Sequence, residues 1–315
     1  MARLHPRVAV EYRWIESEAD QNLNVALSEA GGKGLFARSI EQALLKGEAD
    51  LAVHSLKDLP ARPGADSAGL SIAAVPPRGK VHDYLIAKNA DVTQMEQLPP
   101  AAVVGTASPR RAAQLLRLRP DVQIELIRGN VETRLAKVRE AAVEGTQNVT
   151  KDVTQDVIQF DATFLAMAGL SRLGMTKKAA GHKLSLDQML PAAGQGALAL
   201  QCRSDDHVTI SRCLPLNDAA TSAAVHAERA IVASLGGDCH SPIAVLVHSV
   251  DSELEVWVRV LSIDGKECIE IREKTAPKAL GKLVKQVIAK LDQRGARALL
   301  RAGMPGIGFR DLTRV

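Results

Sequence analysis

The chain has 315 residues, 46% hydrophobic and 24% charged, with a net charge of +4; this is globular composition, with length for two or three domains. Aromatic residues make up only 3%, too few to stack a run of unpaired bases, so nucleic acid is not an expected partner. Four cysteines are too few for a disulfide scaffold. No basic-then-apolar leader opens the chain, and its longest apolar run, Ala162 to Leu170, is well short of the ~20 residues that cross a membrane. A reducing cytoplasm, with no membrane partner, is expected.

The elements follow in chain order. "GGKGLFARSIEQALLKGEA" places Phe36, Ile40 and Leu44 at helical spacing, with Gly47 as its stop. "DLAVHS" alternates like a strand and runs into "LKDLP", where Pro60 ends it. "VPPRGK" near 75–80 and "LPAAGQG" at 190–196 read as crossings between two α/β lobes. In "AAVVGTASPRRAAQLLRL" a strand leads to Ser108 as N-cap and Pro109 as first helical residue. "VQIELIRGNVETRLAKVRE" gives a strand over 122–127, a turn at Gly129-Asn130 and a helix. An insertion near 142–158 puts Val149, Val153 and Val157 on one face of a surface helix. Its Asn148-Val149-Thr150 sequon has meaning only in a secreted chain.

"FDATFLAMAG" reads as one more buried strand, and these repeated units predict an α/β fold with a largely parallel sheet. "ELEVWVRVLS" and "CIEIREK" then alternate with period two across the turn "SIDGKE". Leu280, Leu283, Val284, Val287, Ile288 and Leu291 stripe a last helix, completing a small α+β domain. The expected division is lobe 1 over 1–78 and 191–214, lobe 2 over 79–190, and the third domain over 215–315.

Cations gather at the strand-to-helix turns. Arg110 and Arg111 stand in a first helical turn, where cations oppose the helix dipole unless an anion answers them. Arg128 precedes the Gly129-Asn130 turn, Arg134 lies in the helix that follows it and Lys33 stands ahead of a helix, whereas Arg117, Arg119 and Lys137 read as solvated surface charge. In an open α/β sheet such turns converge on the ligand crevice, and arginine suits carboxylates. Without P-loop spacing, a ligand bearing several carboxylates is the better match. Asp58 ends a strand within this positive region. It either pairs with Lys57 and caps a turn, or stabilises a developing cation.

"GGDCHSPIAV" (236–245) leaves Cys239 as core thiol, nucleophile or attachment point. Metal binding fails on spacing, because His240 is adjacent and no CxxC or HxxxH pair completes a site. The paired glycines imply a tight turn or room for something bulky. Cys202, Cys213 and Cys268 read as buried filler.

Taken in order, "GGKGLF", "LAVHSLKDLP", "VGTASPRRAAQLLRLRP", "RGNVETRL", "LAMAGLSRLGM", "LPAAGQGALALQCR", "ERA" and "GGDCHSPIAV" closely resemble the porphobilinogen deaminase (hydroxymethylbilane synthase) family. The resemblance runs from about Gly31 to Val245. It implies two doubly wound, periplasmic-binding-protein-like α/β lobes and a small α+β domain. It also implies a transferase that adds four porphobilinogens to a dipyrromethane cofactor, each losing ammonia, and then releases a linear tetrapyrrole; nothing in the sequence suggests an obligate interface, so a monomer is expected. Carried over by motif, Cys239 holds the cofactor through a thioether and Asp58 is the catalytic aspartate. Ser55, Lys57, Thr106, Ser108, Arg110, Arg111 and Arg134 then hold cofactor carboxylates. Arg128, Arg172, Phe36, Gln195 and the mobile-loop Lys33 meet the substrate.

Against the family pattern, "MARLHPRVAVEYRW" resembles the end of the first helix and the second strand, so a first βα unit is expected to be missing. Glu29, His82, Ala107 and Pro109 also stand where other residues are usual. Two further readings go with these departures: an N-terminally truncated, inactive relative, and a two-lobed binding protein for a polycarboxylate.

Overall fold

The computed structural model describes residues 4–15, 35–62, 64, 67–139, 158–238 and 240–302, with backbone only at 35 and 36. The insertion expected over 142–158 lies outside them except for Ile158.

Helix α1 (Leu35–Leu45) is followed by Gly47 at φ +70°, the left-handed stop its sequence predicts. Strand β1 (Ala52–Ser55) runs into a 3-10 turn (Leu56–Asp58), and β2 (Leu70–Ala74) follows. The next elements are β3 (Asp83–Ala87), β4 (Val103–Gly105), α2 (Pro109–Leu118), β5 (Gln123–Glu125), α3 (Val131–Arg139) and β6 (Ala162–Ala166). Helices α4 (Met167–Arg172) and α5 (Thr176–Ala179) lead to β7 (His182–Lys183), and the chain then reaches β8 (Leu198–Arg203) and α6 (His207–Cys213). Helix α7 (Ala219–Ser234), the meander β9 (Ile243–Val250), β10 (Glu253–Leu261) and β11 (Cys268–Thr275), and helices α8 (Leu280–Gln293) and α9 (Ala296–Ala302) complete the order.

These elements make a mixed α/β protein with three sheets, ordered β1-β8-β2, β5-β4-β6-β3-β7 and β11-β10-β9. The expectation of a largely parallel sheet is corrected. Among the described residues, only β4 with β5 and β4 with β6 are parallel, while β3 is antiparallel to β6 and β7, and β8 to β1 and β2. A parallel neighbour needs a βα crossover. Strands β3 and β8 instead enter from the long crossings before residues 83 and 198, which leave their direction unconstrained.

Two further differences have local causes. The strand read through "FDATFLAMAG" stops at Ala166, which pairs with Asp83, the first residue of β3; Met167 N makes one further bond, to His82 O at 3.0 Å, as the chain turns into α4. Residues 4–15 form no strand, although the resemblance placed the second strand there. Tyr12 and Trp14 are 81% and 92% exposed, and an alternating stretch becomes a strand only where a neighbour takes its backbone hydrogen bonds.

The five-stranded sheet is covered on both faces, as an α/β layer requires. Leu85, Val104, Leu115, Ile124 and Phe164 pack on one side. Ile86, Ile127, Leu135, Leu165 and Leu170 pack on the other. In the last sheet, Val245, Val247, Val256, Val258 and Val260 meet Ile231, Val284 and Val287 of α7 and α8. Its opposite face puts Ala244, Leu246 and Trp257 against Leu190, with Val81 alongside. The third sheet is therefore seated on both crossings. Cys202 and Cys213 are buried filler as expected, with burial pushing both thiols up. Cys268 is half-buried. Among the described residues, no helix is long and apolar enough to cross a membrane.

The crossings are also bound by a buried ion pair. The Arg78 guanidinium donates to both oxygens of Glu228 on α7, at 2.7 and 3.1 Å. Glu228 is fully buried and also accepts from Gly194 N (2.7 Å) and Val247 N (2.8 Å). Gly79 N donates to Gly196 O at 3.0 Å. A Cβ on Gly196, whose φ is +87°, would stand 2.8 Å from the Gly79 carbonyl oxygen, so the two crossings touch backbone to backbone.

Candidate active site

Strand β1 buries Ala52 and His54 and turns Val53 and Ser55 outward. Leu56 plugs the core at its end, which leaves Lys57 half-buried and Asp58 exposed at the close of the 3-10 turn. Backbone closes that turn, Leu59 N donating to Leu56 O at 3.2 Å.

Ser108 occupies the N-cap position of α2 with Pro109 after it, as read. Its carbonyl accepts from Arg111 N and Ala112 N, both at 3.0 Å, but its side chain makes no capping bond. Buried Thr106 sets the approach instead, its hydroxyl oxygen accepting from Ser108 N at 3.1 Å.

The anion that answers the first-turn arginines belongs to the chain itself. Arg110 Nη1 lies 2.9 Å from Asp83 Oδ2, and Arg111 donates from Nε and Nη2 to Asp83 Oδ1 at 3.1 and 2.7 Å. Arg110 also donates to Leu190 O (2.6 Å), and Arg111 to Phe164 O (3.0 Å). All three side chains are buried. Burial alone would raise the Asp83 carboxyl, but the two guanidinium groups outweigh it and hold it well below the usual carboxylate range.

A folded-state pKa below the unfolded value makes this a stabilisation that is complete above the unfolded pKa of about 4 and is withdrawn as pH falls below it. Asp83→Asn is accordingly expected to lower stability at neutral pH and to flatten its fall between about pH 5 and pH 2. Urea denaturation across that range checks it; an unchanged acid slope would contradict the assignment.

Arg134 joins from α3. Its Nε donates to Gly129 O at 2.8 Å, and Asn130 caps the helix by accepting from Thr133 N at 2.9 Å. Burial lowers the Arg134 pKa first, followed by the like charges of Arg111 and Arg128, with Asp58 opposing. Lys57 is likewise lowered, mainly by burial; Asp58 opposes that, and Arg111 and Arg110 add to it. Lys57, Arg110, Arg111, Arg128 and Arg134 thus share one electrostatic neighbourhood with Asp58 and Asp83. Among the described residues, five cations beside two carboxylates leave the region positive, the condition that calls for an anionic ligand.

Other expected site residues stand apart from this cluster. Arg172 is exposed at the end of α4 and donates to Gly196 O at 2.7 Å. Gln195 is fully buried within the crossing, its Nε2 donating to Val81 O at 2.6 Å and its carbonyl accepting from Arg78 Nε at 2.8 Å. Lys33, Cys239 and the side chain of Phe36 lie outside the described residues.

The chain on either side of Cys239 is defined. Asp238 N donates to Ser241 Oγ (3.0 Å), and His240 N to Asp238 Oδ1 (2.9 Å). The two preceding glycines have a structural reason other than room for a bulky group. Gly236, at φ +72°, and Gly237 close α7 by donating to Ala233 O (3.1 Å) and Val232 O (3.0 Å), a Schellman turn. A Cβ on Gly237 would collide with Ile243 Cδ1.

Sequence reasoning missed Asp83, Arg78 and Glu228. For Asp83 the signal was present: a carboxylate opening the buried strand in "HDYLI", and two first-turn arginines short of an anion. A separate cavity of about 1480 Å³ lies between the C-terminal half of α2 and the β10–β11 turn. Its lining mixes Glu96, Asp121, Asp187 and Glu270 with Arg117, Arg259 and Lys266, a poor match for a polycarboxylate.

Comparison with known proteins agrees with this chemistry. Residues 1–211 match the family model described as porphobilinogen deaminase, dipyromethane cofactor binding domain. Residues 222–291 match that of the porphobilinogen deaminase C-terminal domain. The porphobilinogen deaminase of Bacillus pumilus is 39% identical over 95% of this chain and 89% of its own length. Those of Macrococcus caseolyticus and a Geobacillus species are 38% and 41% identical, over 95% and 92% of the chain and 90% and 86% of their own lengths.

Proposed function

The chain belongs to the porphobilinogen deaminase family, and on that premise we propose that Asp58 is its catalytic carboxylate and Cys239 the point of cofactor attachment. The activity is that of a transferase in tetrapyrrole biosynthesis, polymerising porphobilinogen on a dipyrromethane cofactor to give the linear tetrapyrrole hydroxymethylbilane. The observation that carries the site assignment is that Lys57 and Arg134 both feel the charge of the exposed Asp58 carboxylate, with Arg110, Arg111 and Arg128 close to those two cations.

The donor set fits the cofactor. Each pyrrole unit bears two carboxylates, which asks for distributed cations rather than one anion pocket. Ser55, Lys57, Ser108, Arg110, Arg111 and Arg134 hold those carboxylates, with Thr106 setting the Ser108 turn from behind. The bonds of Arg111 to Asp83 and Phe164 use three of its five N–H donors, so the same guanidinium can hold a ligand. Arg128, Arg172, Lys33, Phe36 and Gln195 complete the substrate side. When bound, dipyrromethane would supply the free pyrrole α-carbon from which the chain of added pyrroles grows. Asp58 accepts the pyrrole N–H of porphobilinogen and offsets the positive charge that develops as ammonia leaves.

The sheets support a division into lobe 1 (1–78 and 191–214), lobe 2 (79–190) and a third domain (215–315). The first two face each other as periplasmic-binding-protein-like lobes. We take the enzyme as a monomer, and the buried free thiols of Cys202 and Cys213 fit a reducing cytoplasm.

Intact mass tests the anchor. Purified protein is expected to exceed its polypeptide mass by one dipyrromethane, and Cys239→Ser to lose both that increment and tetrapyrrole synthesis. An adduct that persists in Cys239→Ser would refute the attachment point.

A further inference from the structure

Helix α7 contacts more than the crossings. Arg229, adjacent to Glu228, donates from Nη1 to Leu59 O (3.0 Å) and from Nη2 to Pro60 O (2.7 Å), the two carbonyls that follow Asp58. Arg62 returns the contact by donating to Ala233 O of α7 at 3.2 Å, and Ala61 packs against the core beneath that helix. The segment 59–62 is therefore docked along α7, whose Schellman turn delivers the chain to Asp238 and the Cys239 loop.

Arg229 is half-buried, and burial lowers its pKa. Among the described residues, no carboxylate stands within ion-pair distance of it. A desolvated guanidinium with no countercharge is costly, and a well-packed apolar side chain would serve stability as well. What an apolar side chain could not supply is a forked grip on two successive carbonyls.

We propose that Arg229 is a positioning residue for the reaction, fixing the Asp58 turn relative to the loop that carries Cys239. The inference rests on the roles given above to Asp58 and Cys239. Helix α7 acts as a spacer: Glu228 ties it to both crossings, Arg229 to the carboxylate turn, and its C-terminus to the anchor loop.

A misplacement of about 1 Å at a reacting group can cost on the order of 10²-fold in rate. Arg229→Ala is accordingly expected to lower kcat about 10- to 100-fold with KM changed less than about 2-fold, the dipyrromethane mass increment being retained. Arg229→Lys keeps the charge but reaches one carbonyl at a time, so a smaller loss is expected; it also serves if the alanine variant does not fold.

The decisive reading is a double-mutant cycle. In an Asp58→Asn background, Arg229→Lys or Arg229→Ala is expected to cost less than about 2-fold more, because the group being positioned is already gone. A full multiplicative loss in that background, or an unchanged kcat in the Arg229 single variants, overturns the proposal. Near-normal turnover in Asp58→Asn alone is a different failure: it removes the role of Asp58, and the proposal falls with it.

Discussion

Asp58→Asn is expected to lower turnover about 10²- to 10³-fold without unfolding the protein. The two halves of that expectation have separate sources. Asp58 is exposed, and backbone rather than its carboxylate closes its 3-10 turn, so the fold loses little when the charge goes. The chemistry loses far more. Among Lys57, Arg111 and Arg134, Asp58 is the negative charge not already committed to a buried ion pair. Without it, a cation developing on the substrate would lose the protein carboxylate that, among the described residues, is free to face it. Steady-state turnover with porphobilinogen, read beside a thermal melt, checks both halves. Near-normal turnover, or a loss that tracks unfolding, would refute the assignment.

Glu228→Ala is expected to act in the opposite way, on stability before chemistry. The substitution leaves the Arg78 guanidinium, Gly194 N and Val247 N without their shared acceptor. Breaking one side of a buried ion pair costs about 3–5 kcal/mol, much of a typical domain's margin. Arg78→Met combined with Glu228→Met removes the stranded charge and should recover part of the loss. Recovery stays incomplete, because the two buried amides each still cost about 1–3 kcal/mol. Urea denaturation of the single and double variants measures this. A loss below about 1 kcal/mol for Glu228→Ala would mean that water replaces the carboxylate, and that the knot is not what holds the crossings.

What was legible in the sequence was local. The helix over 35–45, Pro109 opening α2, the turn at Gly129, the β10–β11 hairpin and the stripe of α8 follow from periodicity and turn chemistry within a few residues. The motif order carried the family, and the strand-to-helix turns do bring Arg111, Arg128 and Arg134 together with Lys57 and Asp58.

What was not legible depends on partners far along the chain. Strand direction in β3 and β8 follows from how the crossings deliver them. The first-turn arginines did need an anion, but no local rule distinguishes a ligand carboxylate from Asp83, 27 residues before Arg110. Glu228 sat inside a recognised motif, yet its partner Arg78 is 150 residues away. Of the two readings of the glycines before Cys239, the tight turn is the one the structure shows: they end a helix.

The Glu228 knot also has a consequence for how the molecule is made. One carboxylate gathers donors from residues 78, 194 and 247, so its shell cannot close until the third domain has been synthesised. Contacts of such long sequence separation form late and slowly, because loop closure precedes any gain from the contact. During synthesis the first two sheets would wait unfastened, with the apolar seat at Leu190 and Val81 uncovered. The last strands to be made are therefore those that fasten the earlier sheets together, and this nascent interval is when the chain is most exposed to aggregation.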